Sequence, residues 1–146
     1  MEFALILPVL LLVIFGIIES GRLMAIFSGV TSSSREAARY GAGVGLTNRT
    51  KLTPPYQDCD GIDAAARRLS VLAPLDSVTI DYDNLRTLST WSGCPPPRDE
   101  IVLGSRIIVT VAGSYRALVP LVGIPPIPIE SVTKRTILKE VWLEDY

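Results

Sequence analysis

The N-terminal part of the chain is almost uniformly apolar, whereas the remainder mixes apolar and polar positions. Residues 3–18 contain no charged side chain, and the apolar character resumes through residues 23–27. A helix needs about 20 mainly apolar residues to cross a bilayer. Residues 3–27 therefore predict one helix of membrane-spanning length, provided that Glu19 and Arg22 are tolerated within it. Glu19 and Arg22 lie three residues apart on one face of that helix, and we expect them to form an ion pair near its far end.

Proline and glycine interrupt the apolar run without ending it. Pro8 removes a backbone hydrogen bond and clashes with the preceding turn, so we expect a local kink or an unwound turn there. Neighbouring helices in a membrane or a bundle tolerate such a proline. Small residues let helices approach closely. The positions expected to pack against other helices are Phe3, Leu7, Leu11, Phe15, Gly16, Ile18 and Gly21.

The same helix is expected to continue well beyond the apolar run. Ala37 and Ala38 are strong helix formers, and glycines follow at positions 41, 43 and 45. Glycine is typical of helix C-termini, so the helix should end there.

Residues 58–74 predict a second helix. Asp60 is the expected N-cap, and Pro74 the expected stop. Apolar residues recur there at helical spacing, and we expect them to pack on a sheet. They are Ile62, Ala66, Leu69 and Ala73.

The remaining segments predict a small antiparallel sheet. Residues 76–83 alternate and are rich in β-prone side chains, residues 107–112 form a strong strand, and residues 130–142 give a final strand beside it. Residues 88–100 carry three consecutive prolines and are expected to form a loop. Residues 122–129 are extended and cannot form a central strand. The expected fold is α+β, with three or four strands covered by the second helix and the end of the first.

Composition narrows the function. The net charge is −1 and no basic patch stands out, so nucleic-acid binding has little support. The chain has no histidine, which removes the commonest general base and the commonest neutral metal ligand. Asp81 and Asp83 share one face of a strand, and we interpret them as a solvated strand face rather than an acid–base pair. We therefore expect no catalytic, cofactor or metal site.

The two cysteines, Cys59 and Cys94, are far apart in sequence and sit at the edges of predicted elements. Two readings stay open for them, a disulfide and a pair of reduced, buried thiols. A disulfide closing that loop would stabilise the domain by about 4 kcal/mol in the chain-entropy model. It would also imply an oxidising location such as the periplasm or the cell surface.

The flanks of the apolar helix allow three interpretations. A cleaved secretory signal usually has a basic start and a shorter apolar stretch. A plain anchor would place the C-terminal domain in the cytoplasm, because the nearby arginines all follow the apolar run. In the third, a basic leader preceded Met1, set the orientation and was removed, so that the helix begins with the acid Glu2.

The stretch "EFALILPVLLLVIFGIIESGRLM", followed by "REAARYGA", closely resembles the TadE/TadG-like family of pilin-related proteins from tight-adherence (Tad) pilus systems. That family has an acid, an aromatic, a long aliphatic run with an early proline, and then "FGIIEFGR"; here Ser20 replaces its second aromatic residue. The resemblance is strong over residues 2–45 and looser later. The matching positions are Glu2, Phe3, Pro8, Phe15, Gly16, Ile17, Ile18, Glu19, Gly21 and Arg22.

The resemblance implies a structural subunit that polymerises with copies of itself into an extracellular, cell-surface attachment filament. It implies a single-pass inner-membrane intermediate, a prepilin peptidase and a pilus assembly platform as partners. Residues 1–46 would form the helix and residues 47–146 the external domain. Glu2, buried near a neighbour's N-terminal amine, would set the axial register; alternatively it only favours the helix N-terminus.

Two other functions stay open. The first is a minor pilin or a membrane-anchored priming subunit of the same kind of pilus. The second is a membrane-anchored domain that binds an extracellular ligand, which would require clustered aromatic side chains. The candidates for that cluster are Tyr56, Tyr82, Trp91 and Tyr115, which are scattered along the sequence.

Overall fold

The computed structural model of the 146-residue chain describes residues 2–45, 53–70, 74–97, 99–118 and 125–138. The predicted α+β class is confirmed: a long apolar helix precedes a small domain with a short helix and a four-stranded antiparallel sheet. The elements in chain order are α1 (Glu2–Gly41), a 3-10 turn (Pro55–Gln57), α2 (Cys59–Arg68), β1 (Leu75–Asn84), β2 (Ser89–Ser92), β3 (Ser105–Tyr115) and β4 (Ile127–Thr136).

Helix α1 runs without interruption from the apolar region into the globular domain. It ends at Gly41, the first of the three glycines predicted to stop it. The helix is continuous through Pro8, so the chain is not unwound there, and a kink at this proline stays a prediction.

The sheet has the strand order β2-β1-β3-β4, and every neighbouring pair is antiparallel. β3 is the central strand, and its side chains alternate between buried and half-buried. β4 lies at an edge, which is where a segment that begins with prolines can be accommodated. The final strand was predicted beside the previous one, and the structure confirms this position.

The prediction of a loop over residues 88–100 was wrong in its first part. Residues Ser89–Ser92 form β2, which pairs with β1 through a four-residue turn at residues 85–88. Thr90 and Trp91 are β-prone, but the run is short and the neighbouring glycine and prolines dominate the pattern. Pairing with β1 supplies the backbone hydrogen bonds that so short a strand cannot provide alone.

Helix α2 differs from its prediction at both ends. Asp58, not Asp60, is the N-cap, and its carboxylate accepts a hydrogen bond from the Gly61 backbone N–H at 3.2 Å. The helix ends at Arg68, well before Pro74. Ile62 and Ala66 are buried as expected, but Leu69 lies beyond the helix and is exposed, and Ala73 lies outside the described residues. α2 packs mainly against the end of α1 and less against β1.

The C-terminal part of α1, residues 19–41, lies lengthwise along β3 and runs antiparallel to it. A β-carbon added to Gly113 would lie 3.1 Å from a Val30 methyl group, and one added to Gly41 would collide with Ile107. From Glu19 to Gly41 the helix rises about 33 Å. From Leu118 back to Ile107 an extended chain covers about 36 Å. The two elements therefore match in length, and the Tyr115 end of β3 is level with Glu19.

The core lies between this half of α1, α2 and one face of the sheet. Its buried apolar side chains include Ile26, Val30, Ile62, Tyr82, Ile107, Val109 and Val111. Ser34 on α1 is fully buried, and its hydroxyl lies 2.9 Å from the hydroxyls of Ser131 and Thr133 on β4. This bridge ties α1 to the edge strand.

Candidate functional site

The first feature of the site is the apolar segment, residues 3–18 of α1. Every large apolar side chain described in it is exposed, from 42% at Ile14 to 81% at Phe3. The exposed side chains surround the helix instead of forming a stripe. A helix that is apolar on all sides belongs inside a membrane or a bundle. Moving about a dozen such side chains out of water would be favourable by on the order of 20–30 kcal/mol in total, at about 1.5–3 kcal/mol each.

Length and composition agree with this reading. Within the described residues, one helix, Ile6–Gly41, is long and apolar enough to cross a membrane, and only 6% of its most apolar window is buried within the molecule. The apolar segment itself is about 24 Å long at about 1.5 Å per residue. The hydrocarbon core of a bilayer is about 30 Å thick. The charge-free segment alone is therefore about 6 Å shorter than the core, and the helix long enough to cross extends beyond it.

The small residues of this region are open on all sides. A β-carbon built on Gly16 or Gly21 would meet no atom within 4 Å. The Ser20 hydroxyl donates to the Gly16 carbonyl at 2.8 Å, so the hydroxyl is satisfied within the helix. Within the part of the chain that the structure describes, no contact accounts for either glycine. Both remain available for the close approach of another helix.

A collar of four residues, Glu19, Arg22, Tyr115 and Leu118, joins the apolar segment to the domain. Arg22 donates to the Glu19 carboxylate at 2.8 Å, which forms the pair that the spacing predicted. The other carboxylate oxygen of Glu19 accepts the Leu118 backbone N–H. One acid thus connects the helix to the chain that leaves β3, and its charge is compensated where the apolar segment ends.

Tyr115 completes the collar from the last position of β3. The Arg22 guanidinium carbon lies 5.8 Å from the centre of the Tyr115 ring, within the range of a cation–π contact. Burial of the ring, followed by its hydrogen bond to Glu19, raises the pKa of Tyr115. The tyrosine therefore stays neutral and can serve as a hydrogen-bond donor to the carboxylate. The collar holds the domain at a fixed position on the helix.

A disulfide connects the helices to the sheet at the end of the domain opposite the collar. The sulfurs of Cys59 and Cys94 are bonded at 2.04 Å, and the bond connects the start of α2 to the chain that follows β2. The fully buried Tyr82 donates its hydroxyl hydrogen to the Tyr56 carbonyl at 2.6 Å, and the same oxygen lies 3.3 Å from Cys94 Sγ. Burial raises the pKa of Tyr82.

The interpretation of Asp81 and Asp83 as a solvated strand face was wrong for Asp83. Asp83 is buried and accepts hydrogen bonds from Arg106 on β3, one of them at 2.7 Å, while Lys134 on β4 lies 3.8 Å away. The hydrogen bond to Arg106 holds the pKa of Asp83 below its usual range. Asp81 instead accepts the Gly93 backbone N–H at 3.2 Å. Each carboxylate stabilises the sheet, and the cross-strand register could not be read from spacing alone.

Comparison with known proteins bears on the helix. Residues 1–39 match the family model described as TadE-like protein. The matched TadE-like region holds the apolar segment, the Glu19–Arg22 pair and nearly all of α1, so the resemblance stated from the sequence is confirmed there. This family is structural and related to Tad pili. Residues 40–146, which include α2 and the sheet, lie outside the match, and no curated protein or solved structure matches the chain.

The sequence predicted the helical half of the collar, the Glu19–Arg22 pair, and missed the half that the end of β3 supplies. Nothing in the spacing placed Tyr115 or Leu118 beside Glu19, since 99 residues separate Glu19 from Leu118. The available signal in the sequence was the uncharged run that begins at Ala117, two positions after the end of β3. The predicted division between residues 46 and 47 stays a prediction, because residues 46–52 lie outside the described part. The same holds for the pairing role of Glu2, whose side chain is not described.

Proposed function

We propose that this chain is a pilin-like structural subunit that polymerises through α1 into an extracellular surface filament. It would wait in the inner membrane as a single-pass protein before assembly. The observation that supports the proposal best is the apolar segment, which is exposed all round and continues as one helix into the domain. The match to the TadE-like family over residues 1–39 supports the same role.

The apolar segment has two stable environments, lipid and a bundle of identical helices. Transfer from one to the other brings little hydrophobic gain, because lipid tails and leucines are similarly apolar. Assembly would then depend on close packing and on the pairing of polar groups. Gly16 and Gly21 have the open surroundings that close packing needs. In this proposal Phe3, Leu7, Leu11, Phe15 and Ile18 fill the spaces between neighbouring helices.

The collar supports a second candidate, a minor or priming subunit that remains in the membrane. Because Glu19 fixes the end of β3 beside the helix, the domain is held close to the boundary of the apolar segment. This arrangement suits an anchored subunit as well as a filament subunit awaiting extraction. The two candidates differ in abundance within fibres and share the same fold.

The ligand-binding alternative draws less support from the aromatic side chains. Tyr56, Tyr82 and Tyr115 are buried in the core, and Trp91 is half-buried against it. Tyr82 contacts Tyr56 and pairs with Trp91 across β1 and β2, whereas Tyr115 lies at the other end of the sheet. The three neighbours pack into the domain and do not form an exposed aromatic surface. Peptidase processing and an assembly platform come from the resemblance and belong to the proposal as its partners.

The test is to find the chain in fibres and then block its packing. Fibres sheared from the producing cells would be pelleted, and the intact mass of the chain measured without reductant. We expect an abundant chain with its disulfide formed. We expect Gly16→Leu to remain in the membrane with the disulfide intact, because the added side chain clashes only with a neighbouring helix.

Val9→Leu is the matched control, since it enlarges an exposed side chain of the same segment without filling the space beside a glycine. We expect it to enter fibres like the parent. A parent chain confined to the membrane would overturn the filament role and favour the anchored subunit. Normal fibres from Gly16→Leu would remove Gly16 from the helix packing.

A further inference from the structure

The end of the domain nearest the apolar segment exposes apolar side chains. Leu118, whose backbone N–H is bound by Glu19, is 66% exposed, and Ile127 at the start of β4 is 43% exposed. Ile127 pairs with Tyr115 of the collar, so both side chains belong to the same end of the sheet. We name this surface, Ala117, Leu118 and Ile127, the proximal face.

The three residues of the proximal face are uncharged, and charged groups, Arg116 and the Glu19–Arg22 pair, border them. Between Arg116 and Glu130 the sequence contains no charged residue. The described residues of that stretch, 117–118 and 125–129, are alanine, leucine, proline and isoleucine. A surface loop in contact with water alone usually carries polar residues. This composition suits the boundary between lipid headgroups and acyl chains.

Because the apolar segment is shorter than the hydrocarbon core, we expect lipid to reach the proximal face. The segment is about 24 Å long, whereas the hydrocarbon core is about 30 Å thick. A helix that is too short draws flanking residues towards the core or thins the bilayer. A shortfall of about 6 Å places the level of Glu19, and with it Leu118, at the headgroup boundary. Arg22, whose side chain is partly exposed, can keep its apolar stem near lipid and its guanidinium at the headgroups.

We propose that the proximal face is a lipid-contact surface that seats the globular domain on the outer leaflet while α1 spans the bilayer. The inference rests on the membrane-spanning intermediate of the proposed function. The domain is then held flush on the membrane by a second contact besides its helix. Exposed Met24 and Phe27 lie within about 12 Å above Glu19 along α1 and widen the contact.

The opposite end of the sheet provides an internal control. Leu103 precedes β3 and is 60% exposed, almost as much as Leu118. β3 is about 33 Å long at about 3.3 Å per residue, so Leu103 lies beyond the reach of a bilayer that meets Leu118. The two leucines match in type and exposure and differ in their height above the apolar segment.

The test uses the full-length chain in phosphatidylcholine–phosphatidylglycerol vesicles, with and without bromine on the acyl chains. Four variants each add one tryptophan: Leu118→Trp, Ile127→Trp, Leu103→Trp and, in the apolar segment, Leu10→Trp. The fluorescence of the added tryptophan is obtained by subtracting the parent spectrum. Bromine quenches tryptophan on contact, so the lost fraction reports which positions touch lipid.

We expect brominated lipid to remove most of the added fluorescence at positions 10, 118 and 127 and little at position 103. Quenching at position 10, with positions 118 and 127 no more quenched than position 103, would overturn the lipid contact and leave the membrane-spanning helix intact. Absence of quenching at position 10 would overturn the membrane-spanning intermediate and the lipid contact together.

Discussion

Helix α1 has two halves that meet opposite environments. Residues 3–18 are apolar on every side and contact almost nothing among the described residues, whereas residues 26–41 bury one face against α2 and the sheet. The buried positions of the upper half follow helical spacing; they are Ile26, Val30, Ser33, Ser34, Ala37, Ala38 and Gly41. A stripe of this kind indicates that the helix packs against protein on one side. A uniformly apolar surface indicates a helix surrounded by lipid or by other helices.

The glycines show the same difference. Gly16 and Gly21, in and just beyond the apolar segment, have open space around them. An added β-carbon on Gly41 would collide with Ile107, and one on Gly61 would collide with the hydrogen-bonded pair of Tyr40 and Asp58. Gly41 and Gly61 are thus explained by contacts within the chain. Gly16 and Gly21 have no such explanation among the described residues.

Removing the disulfide should destabilise the globular domain and leave the apolar segment unaffected. We expect it to cause the largest loss of stability. In the Cys59→Ser/Cys94→Ser double variant, we expect the free energy of unfolding of the domain to fall by about 4 kcal/mol, from loop closure over a sequence separation of 35. Trp91 fluorescence during denaturant unfolding in detergent micelles measures the loss. Circular dichroism should retain the signal of the apolar segment. An unchanged midpoint would show that the domain does not depend on this bond.

A matched pair of isoleucines tests the two halves directly. Ile26 is buried in the core and Ile17 is exposed. We expect Ile26→Ala to cost the domain about 3 kcal/mol, from lost burial and the cavity left behind. Ile17→Ala should leave domain unfolding unchanged in the same micelles. Equal costs would contradict the division of the helix into a free half and a packed half.

The smallest expected change is confined to the outer face of the sheet. Asp83→Asn leaves the partly buried Arg106 without its anionic partner, and we expect a loss of about 2 kcal/mol at neutral pH. The ordinary pKa of an aspartate is about 3.9, and that of Asp83 is lowered in the folded protein. Its contribution is therefore complete above the unfolded pKa and is lost as the pH falls through the folded value.

Denaturant unfolding between pH 7 and pH 2 measures that contribution. The parent should lose stability below about pH 4, whereas Asp83→Asn should show a shallower dependence. Asp81→Asn is the matched control, because Asp81 lies on the same strand face and accepts only a backbone N–H from Gly93. If the two variants titrate alike, the Arg106 pair is not the source of the acid sensitivity.

How well each element was predicted depends on whether residues close together in the sequence determine it. α1 and its end at Gly41 were predictable because helix periodicity and glycine termination act over a few residues. β3 was predictable from its run of β-branched side chains. β2 was missed because four residues carry too little pattern. The cap at Asp58 was assigned to Asp60 because both are acids before the same helix, and only the backbone geometry separates them.

The sequence by itself determined the long apolar helix, the α+β class, the membrane-spanning length and the resemblance to TadE-like proteins, because each depends on residue type and local spacing. The tertiary structure alone decided which groups meet across the fold: Glu19 with Leu118, Arg22 with Tyr115, and Asp83 with Arg106. Those contacts join residues far apart in the chain. Their existence depends on strand register and on how α1 lies along β3, and neither is encoded in a local pattern.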